Sequence, residues 1–131
     1  MERILIIDDD AQVLDVLHLV LAREGYEVLK ASNGNEGIKL HREDPVDLVI
    51  TDLIMPEKEG IETIRELTAE FPEVKIIAMS GGGHVGADEY VHLAKKFGAQ
   101  YTFTKPFTGE QILRAVKELL DNSPGAKNTL E

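Results

Sequence analysis

The chain has 131 residues, 43% of them hydrophobic, which suffices for one compact core and is too little for two ordinary domains. Its 24 acidic residues outnumber the 14 basic ones by ten, so the backbone of a nucleic acid would meet net repulsion and direct binding of one is not expected. The absence of cysteine excludes disulfide frameworks and thiolate metal sites and fits a reducing, cytoplasmic setting, while no apolar run reads as a membrane span or signal peptide.

In chain order, residues 4–7 (ILII) predict a strand buried on both faces, ending in Asp8-Asp9-Asp10. Val13, Val16 or Leu17, and Val20 follow at helical spacing, with Asp10 placed as the helix N-cap. Residues 26–31 form a weaker strand candidate. A helix over 35–42 contains Gly37 and has only Ile38 and Leu40 as strong apolar residues, so it rests mainly on the alternation of elements. Residues 46–51 predict a third strand leading to Asp52, and Ile61, Ile64, Leu67 and Phe71 a third helix. Residues 74–79 predict a fourth strand, followed by Ser80 and Gly81-Gly82-Gly83, and Ala87, Tyr90 or Val91, Ala94 and Phe97 mark a fourth helix. The last pair is a strand over 101–104, ending in Lys105-Pro106, and a helix marked by Ile112, Val116 and Leu119.

Five strand–helix repeats call for right-handed crossovers and a parallel sheet covered on both faces. The expected class is α/β, a doubly wound five-stranded domain over residues 1–121, and flavodoxin-like order 2-1-3-4-5 is a common solution. Residues 122–131 read as a disordered tail or linker stub, and Leu130-Glu131 as a cloning scar.

Ligands of open α/β sheets sit beyond the carboxyl ends of the strands. Those ends here offer Asp8, Asp9 and Asp52, the hydroxyl of Ser80 and the ammonium of Lys105. Clustered carboxylates repel one another, which raises their pKa values or calls for a cation. With oxygen ligands alone Mg2+ suits the set, Mn2+ being a substitute, and the lysine supplies a second positive charge. Such a rim is suited to a phosphoryl group shared among metal, ammonium and hydroxyl, with a central carboxylate as nucleophile.

The segments ILIIDDD, VDLVITDLIMP, IIAMS and TKPF, in this order and spacing, resemble the receiver domain of two-component response regulators, over residues 4 to about 121. The resemblance implies that Asp52 is the phosphoacceptor and that Asp9, Asp52 and the backbone carbonyl of Ile54 ligate Mg2+, with Asp8 assisting through water. It implies further that Ser80 and Lys105 hold the phosphoryl group and that Lys105-Pro106 is a cis peptide. The donor would be a phosphohistidine of a histidine kinase or phosphotransfer protein, and the output a changed surface over about residues 87–120, read by an effector domain, a partner protein or a phosphorylation-dependent dimer. The chain would then be a signalling module, standing alone or excised from a larger regulator, that turns over only its own phosphoryl group.

Other residues carry plainer expectations. Met55-Pro56 and Gly60 shape the loop into the third helix, and the Gly81–Gly83 run lacks the spacing of a nucleotide-binding loop and reads as a hinge. Ile54 and Gly82 flank the expected pocket and control access of water to it. Glu57, Glu59, Glu62 and Glu66 read as a solvated face. The four histidines, His18, His41, His84 and His92, share no metal-ligand spacing and read as surface or boundary residues. One departure from the family pattern is Thr102, where the family usually has an aromatic ring that turns inward on activation. Its neighbours Tyr101 and Phe103 point to the opposite face, so uptake is expected to survive while coupling differs.

Competing functions use the same residues. A pseudo-receiver would be a constitutive docking module. A Mg2+-dependent phosphohydrolase of the DxDx[TV] type would need an acid/base where Ile54 stands, and a flavin nucleotide would be repelled by Asp8-Asp9-Asp10.

Overall fold

A computed structural model describes residues 2–53, 60–81 and 87–121. The expected tail at 122–131 and the expectations for Ile54, Met55-Pro56, Glu57, Glu59, Gly82, Gly83 and His84 therefore concern residues outside those described. Strands and helices alternate as β1 (Arg3–Ile7), α1 (Ala11–Arg23), β2 (Glu27–Ala31), α2 (Gly34–Glu43), β3 (Leu48–Asp52), α3 (Gly60–Glu70), β4 (Lys75–Gly81), α4 (Ala87–Phe97), β5 (Tyr101–Lys105) and α5 (Gly109–Asp121). The five strands form one sheet in order β2-β1-β3-β4-β5, with every neighbouring pair parallel. The flavodoxin-like class and strand order expected from the alternation are the ones observed.

The order explains why two strands were weak in the sequence. β1, β3 and β4 are interior and covered on both faces, so they are almost wholly buried and their runs 4–7, 48–50 and 76–79 are all apolar. β2 and β5 are the edges, and exposed positions there tolerate Lys30 and Thr104.

Alternation along the strands sorts the apolar residues into two cores. Ile4, Ile6, Leu48, Ile50, Ile77 and Met79 meet Leu14, Leu17 and Leu21 of α1 and Ile112 and Val116 of α5. Leu5, Ile7, Val49, Ile76 and Ala78 meet Ile38 of α2, Ile64 and Leu67 of α3 and Ala94 of α4. A fully buried leucine or isoleucine contributes about 1.5–3 kcal/mol against the roughly 1–2 kcal/mol of backbone entropy lost per residue, so these two layers dominate the hydrophobic stabilisation.

Local signals set the element ends. The Asp10 side chain accepts from the N–H of Gln12 at 2.9 Å and caps α1, as its position suggested. Asn33 caps α2 by accepting from Glu36 N–H at 2.8 Å, while the Glu36 carboxylate accepts from Ser32 N–H at 2.7 Å. These bonds, together with packing of Ile38, hold a helix that apolar periodicity alone supported weakly. The third strand begins at Leu48 and not at residue 46, because the N–H of Val46 donates to the His41 side chain and is not in the ladder.

His41 corrects an expectation. It is 2% exposed, not a surface or boundary residue, with Nδ1 accepting from Val46 N–H at 3.1 Å and its ring edge-on to Phe71 at 4.4 Å. The signal was present in the spacing, since Gly34, Gly37, Ile38 and His41 fall at i, i+3, i+4 and i+7 on the buried face of α2. His18 is half-buried and His92 exposed.

Candidate functional site

Parallel strands deliver their last residues to one edge, and β1, β3, β4 and β5 bring Asp8, Asp52, Ser80 and Lys105 together there. Asp8 follows β1 with no exposure, its main chain anchored by its N–H to Ala31 O at 3.1 Å. One of its oxygens accepts from Asp10 N–H at 2.9 Å and the other from Lys105 Nζ at 3.0 Å. Asp52 closes β3 at 6% exposure, with Oδ1 3.4 Å from the same ammonium. Lys105, which precedes a cis peptide to Pro106, therefore bridges two carboxylates from the far end of the sheet.

Asp9 faces solvent beside them, and the carboxylates of Asp8, Asp9 and Asp52 each have an oxygen within 4.8 Å of the others. Three carboxylates against one ammonium leave an excess of negative charge. Burial drives the Asp52 carboxyl up to about 6, the Asp8 charge adds to this, and the Lys105 ammonium opposes it. Asp8 is also raised, mainly by burial, against the opposing hydrogen bonds from Asp10 N–H and Lys105. For Lys105 burial works downward, but the Asp52 and Asp8 charges prevail and hold its pKa above the usual lysine value.

Ser80 is 1% exposed near the end of β4, and its Oγ has no hydrogen-bond partner among the described residues. A buried hydroxyl left without a partner costs about 1–3 kcal/mol, which makes it conspicuous beside a charged rim. Gly60 begins α3 against the main chain of β3, where a Cβ would lie 2.1 Å from Asp52 O and 2.7 Å from Leu53 Cα. The expectation that Gly60 shapes the entry to this helix is thereby given a cause: only a hydrogen fits behind Asp52.

The structure brings Asp8, Asp9, Asp52, Ser80 and Lys105 to one edge, while Ile54, the expected carbonyl ligand, lies outside the described residues. The contact between Lys105 and Asp8 was not foreseen, since it joins residues 97 positions apart and leaves no mark in local sequence. On β5, Tyr101 and Phe103 pack towards α1 and α5, their rings stacked with centroids 6.4 Å apart, and Phe107 continues the row at 6.0 Å from Phe103. Thr102, between them in sequence, is on the other face, as strand alternation required.

Fold and site define a class: a doubly wound parallel domain with an acidic, cation-ready edge closed by one lysine. The family model for the response regulator receiver domain matches residues 4–117, and the chain belongs to that family, a family of two-component signalling modules and not of classical enzymes. It is 31% identical to the sporulation initiation phosphotransferase F of Bacillus subtilis over 119 residues, 91% of this chain and 94% of that protein. The crystal structure of a response regulator receiver domain protein from Clostridium thermocellum superimposes with a TM-score of 0.85 at 32% identity, covering 100% of both chains. That of the response regulator TrrA from Thermotoga maritima, in complex with Mg2+–BeF, gives a TM-score of 0.81 at 32% identity over 92% of this chain and 100% of that one. Among the described residues no helix is long and apolar enough to cross a membrane.

Proposed function

We propose that this domain accepts a phosphoryl group on Asp52 from a phosphohistidine of a histidine kinase or phosphotransfer protein, in the cytoplasm. The observation that carries the reading is the convergence of Asp8, Asp9 and Asp52 with Lys105 and the unpartnered Ser80 hydroxyl. Similarity to the Mg2+–BeF complex of TrrA supports it.

The donor set fits Mg2+: carboxylate oxygens only, an excess of negative charge, and an Asp52 carboxyl held near 6 until a cation offsets the burial. Asp8, Asp9 and Asp52 would hold the ion, with the Ile54 carbonyl as a further ligand. When bound, it supplies positive charge to the carboxylates and to the phosphoryl oxygens. Asp52, deprotonated, directs one oxygen at phosphorus. The new P–O bond forms as the donor's P–N bond breaks, and the electron pair of that bond leaves with the imidazole nitrogen. Lys105 releases Asp52 and turns to a phosphoryl oxygen while remaining within reach of Asp8. Ser80 Oγ donates to another phosphoryl oxygen and gains the partner it lacks. The new dianion alters the surface over about residues 87–120, which a downstream domain or protein reads.

Intact mass after incubation with acetyl phosphate tests this directly. Wild type gains one phosphoryl group, acid-stable and base-labile, only with Mg2+, and Asp52→Ala gains none. An unmodified wild type, or an Asp52→Ala variant modified to the same extent, refutes the assignment.

A further inference from the structure

At the amino-terminal edge of the sheet, opposite Asp52, the chain surrounds an open cavity of about 660 Å3. Its rim carries Glu2 ahead of β1, Asp47 ahead of β3 and Glu73 ahead of β4. All three are exposed, and none is in an ion pair among the described residues. Asp47 accepts only the main-chain N–H of Arg3, at 2.7 Å, and so keeps its charge. Of the other charged groups of the lining, Glu70 pairs with Arg42 at 2.8 Å, while Lys75 Nζ donates to the neutral Leu119 O at 2.7 Å, so three carboxylates outside any ion pair face one ammonium.

The inner wall adds a second, independent feature. His41 is buried at 2% exposure, and because Nδ1 accepts from Val46 N–H, its neutral ring carries the proton on Nε2. No hydrogen bond of Nε2–H is made among the described residues, and His41 lines the cavity. The cavity therefore pairs an N–H donor on its inner wall with an excess of carboxylates over the one ammonium of Lys75, above apolar walls that include Phe71, Pro72 and Leu120.

These features together narrow the ligand. An anion would satisfy His41 but meet three carboxylates; a bare metal ion or polyamine would satisfy the carboxylates but offers nothing to accept the proton of Nε2. A peptide carries a neutral carbonyl beside cationic side chains whose methylene stems suit an apolar wall. We propose that this cavity binds a basic peptide segment of a partner protein, one backbone carbonyl accepting from His41 Nε2–H and a lysine or arginine side chain crossing Phe71 towards Glu2, Asp47 and Glu73. The volume lies within the ~300–1,000 Å3 common for ligand sites and holds a few residues. The proposal concerns the end of the sheet remote from Asp52 and stands apart from phosphoryl transfer.

The test is titration of the 15N-labelled protein with the capped peptide acetyl-Arg-Leu-Arg-Leu-amide, with the Glu-Leu-Glu-Leu peptide and spermidine as controls. Saturable shifts of the Val46, Phe71, Val74 and Leu120 amides and of the His41 ring are expected with the basic peptide. Added salt weakens them. The double variant Glu2→Gln/Glu73→Gln, both at exposed positions, weakens binding about three- to tenfold. Shifts confined to Asp8, Asp9 and Asp52 overturn the proposal, as does equal binding of either control, unaltered affinity of the double variant, or no response at millimolar peptide.

Discussion

Gly60→Ala places a methyl carbon 2.1 Å from the carbonyl oxygen of Asp52 and 2.7 Å from Leu53 Cα. Both obstacles are main chain of β3, an interior strand paired with β1 and β4, so no side chain can swing aside. Relief to a normal contact demands that α3 and β3 separate by roughly 1 Å, and such overpacking costs about 1–3 kcal/mol. The separation also stretches the hydrogen bond from Gly60 N–H to Leu53 O, now 2.8 Å. Against this, alanine is a better helix former than glycine by at most about 1 kcal/mol, and by less at a first helical position. The strain wins, and urea unfolding followed by circular dichroism is expected to show a net loss of about 1–2 kcal/mol with an unchanged slope. Because the displaced atoms belong to Asp52 itself, phosphoryl uptake from acetyl phosphate falls as well, by about 10–100-fold if the carboxylate moves by most of that distance. A variant as stable as wild type, or more stable, would show that helix propensity outweighs the contact and refute the packing argument.

Ser80→Ala removes a buried hydroxyl with no partner, so the variant free of phosphoryl group is expected to be as stable as wild type or up to about 1–3 kcal/mol more stable, while uptake from acetyl phosphate slows. Paired melting and mass measurements separate the two effects. Asp10→Ala deletes the cap on α1 and lowers stability by about 1 kcal/mol in urea, with Asp10→Asn recovering most of it. Burial holds the His41 pKa below its ordinary 6.5, opposed by the Glu70 charge, so the unfolded chain takes up this proton first. His41 therefore contributes stability that is complete above pH 6.5 and is lost as pH falls from there towards the lowered folded value. Asp8 and Asp52, whose folded pKa values are raised, act in the opposite sense, so the test is the difference between wild type and His41→Gln in unfolding experiments from pH 8 to 5. A difference that does not change with pH would refute the assignment.

Coupling to a partner surface depends on β5. The Tyr101, Phe103 and Phe107 rings lie towards α1 and α5, and Thr102 occupies the other face, so an aromatic switch at position 102 is absent from this chain. Thr102→Tyr is expected to restore a ring on that face and to alter amide exchange in α4 and β5 upon phosphorylation. Unchanged exchange would remove position 102 from the coupling.

The alternation of elements and the residues at the carboxyl edge were legible in the sequence, because both are local: interior strands are runs of Ile, Leu and Val, and side chains that follow them must surface at the edge. Asp10 as a cap was legible for the same reason, its partner being two residues away. Contacts between distant segments were not. Lys105 lies between Asp8 and Asp52, Ser80 Oγ is sealed without a partner, and His41 is enclosed against Phe71 and Val46. Each depends on how far one strand or helix advances past another, a quantity set by packing across the two core layers. The sequence thus determined which groups reach the site, and the tertiary structure decided which of them touch, how deeply they are buried and where their charges and protons lie.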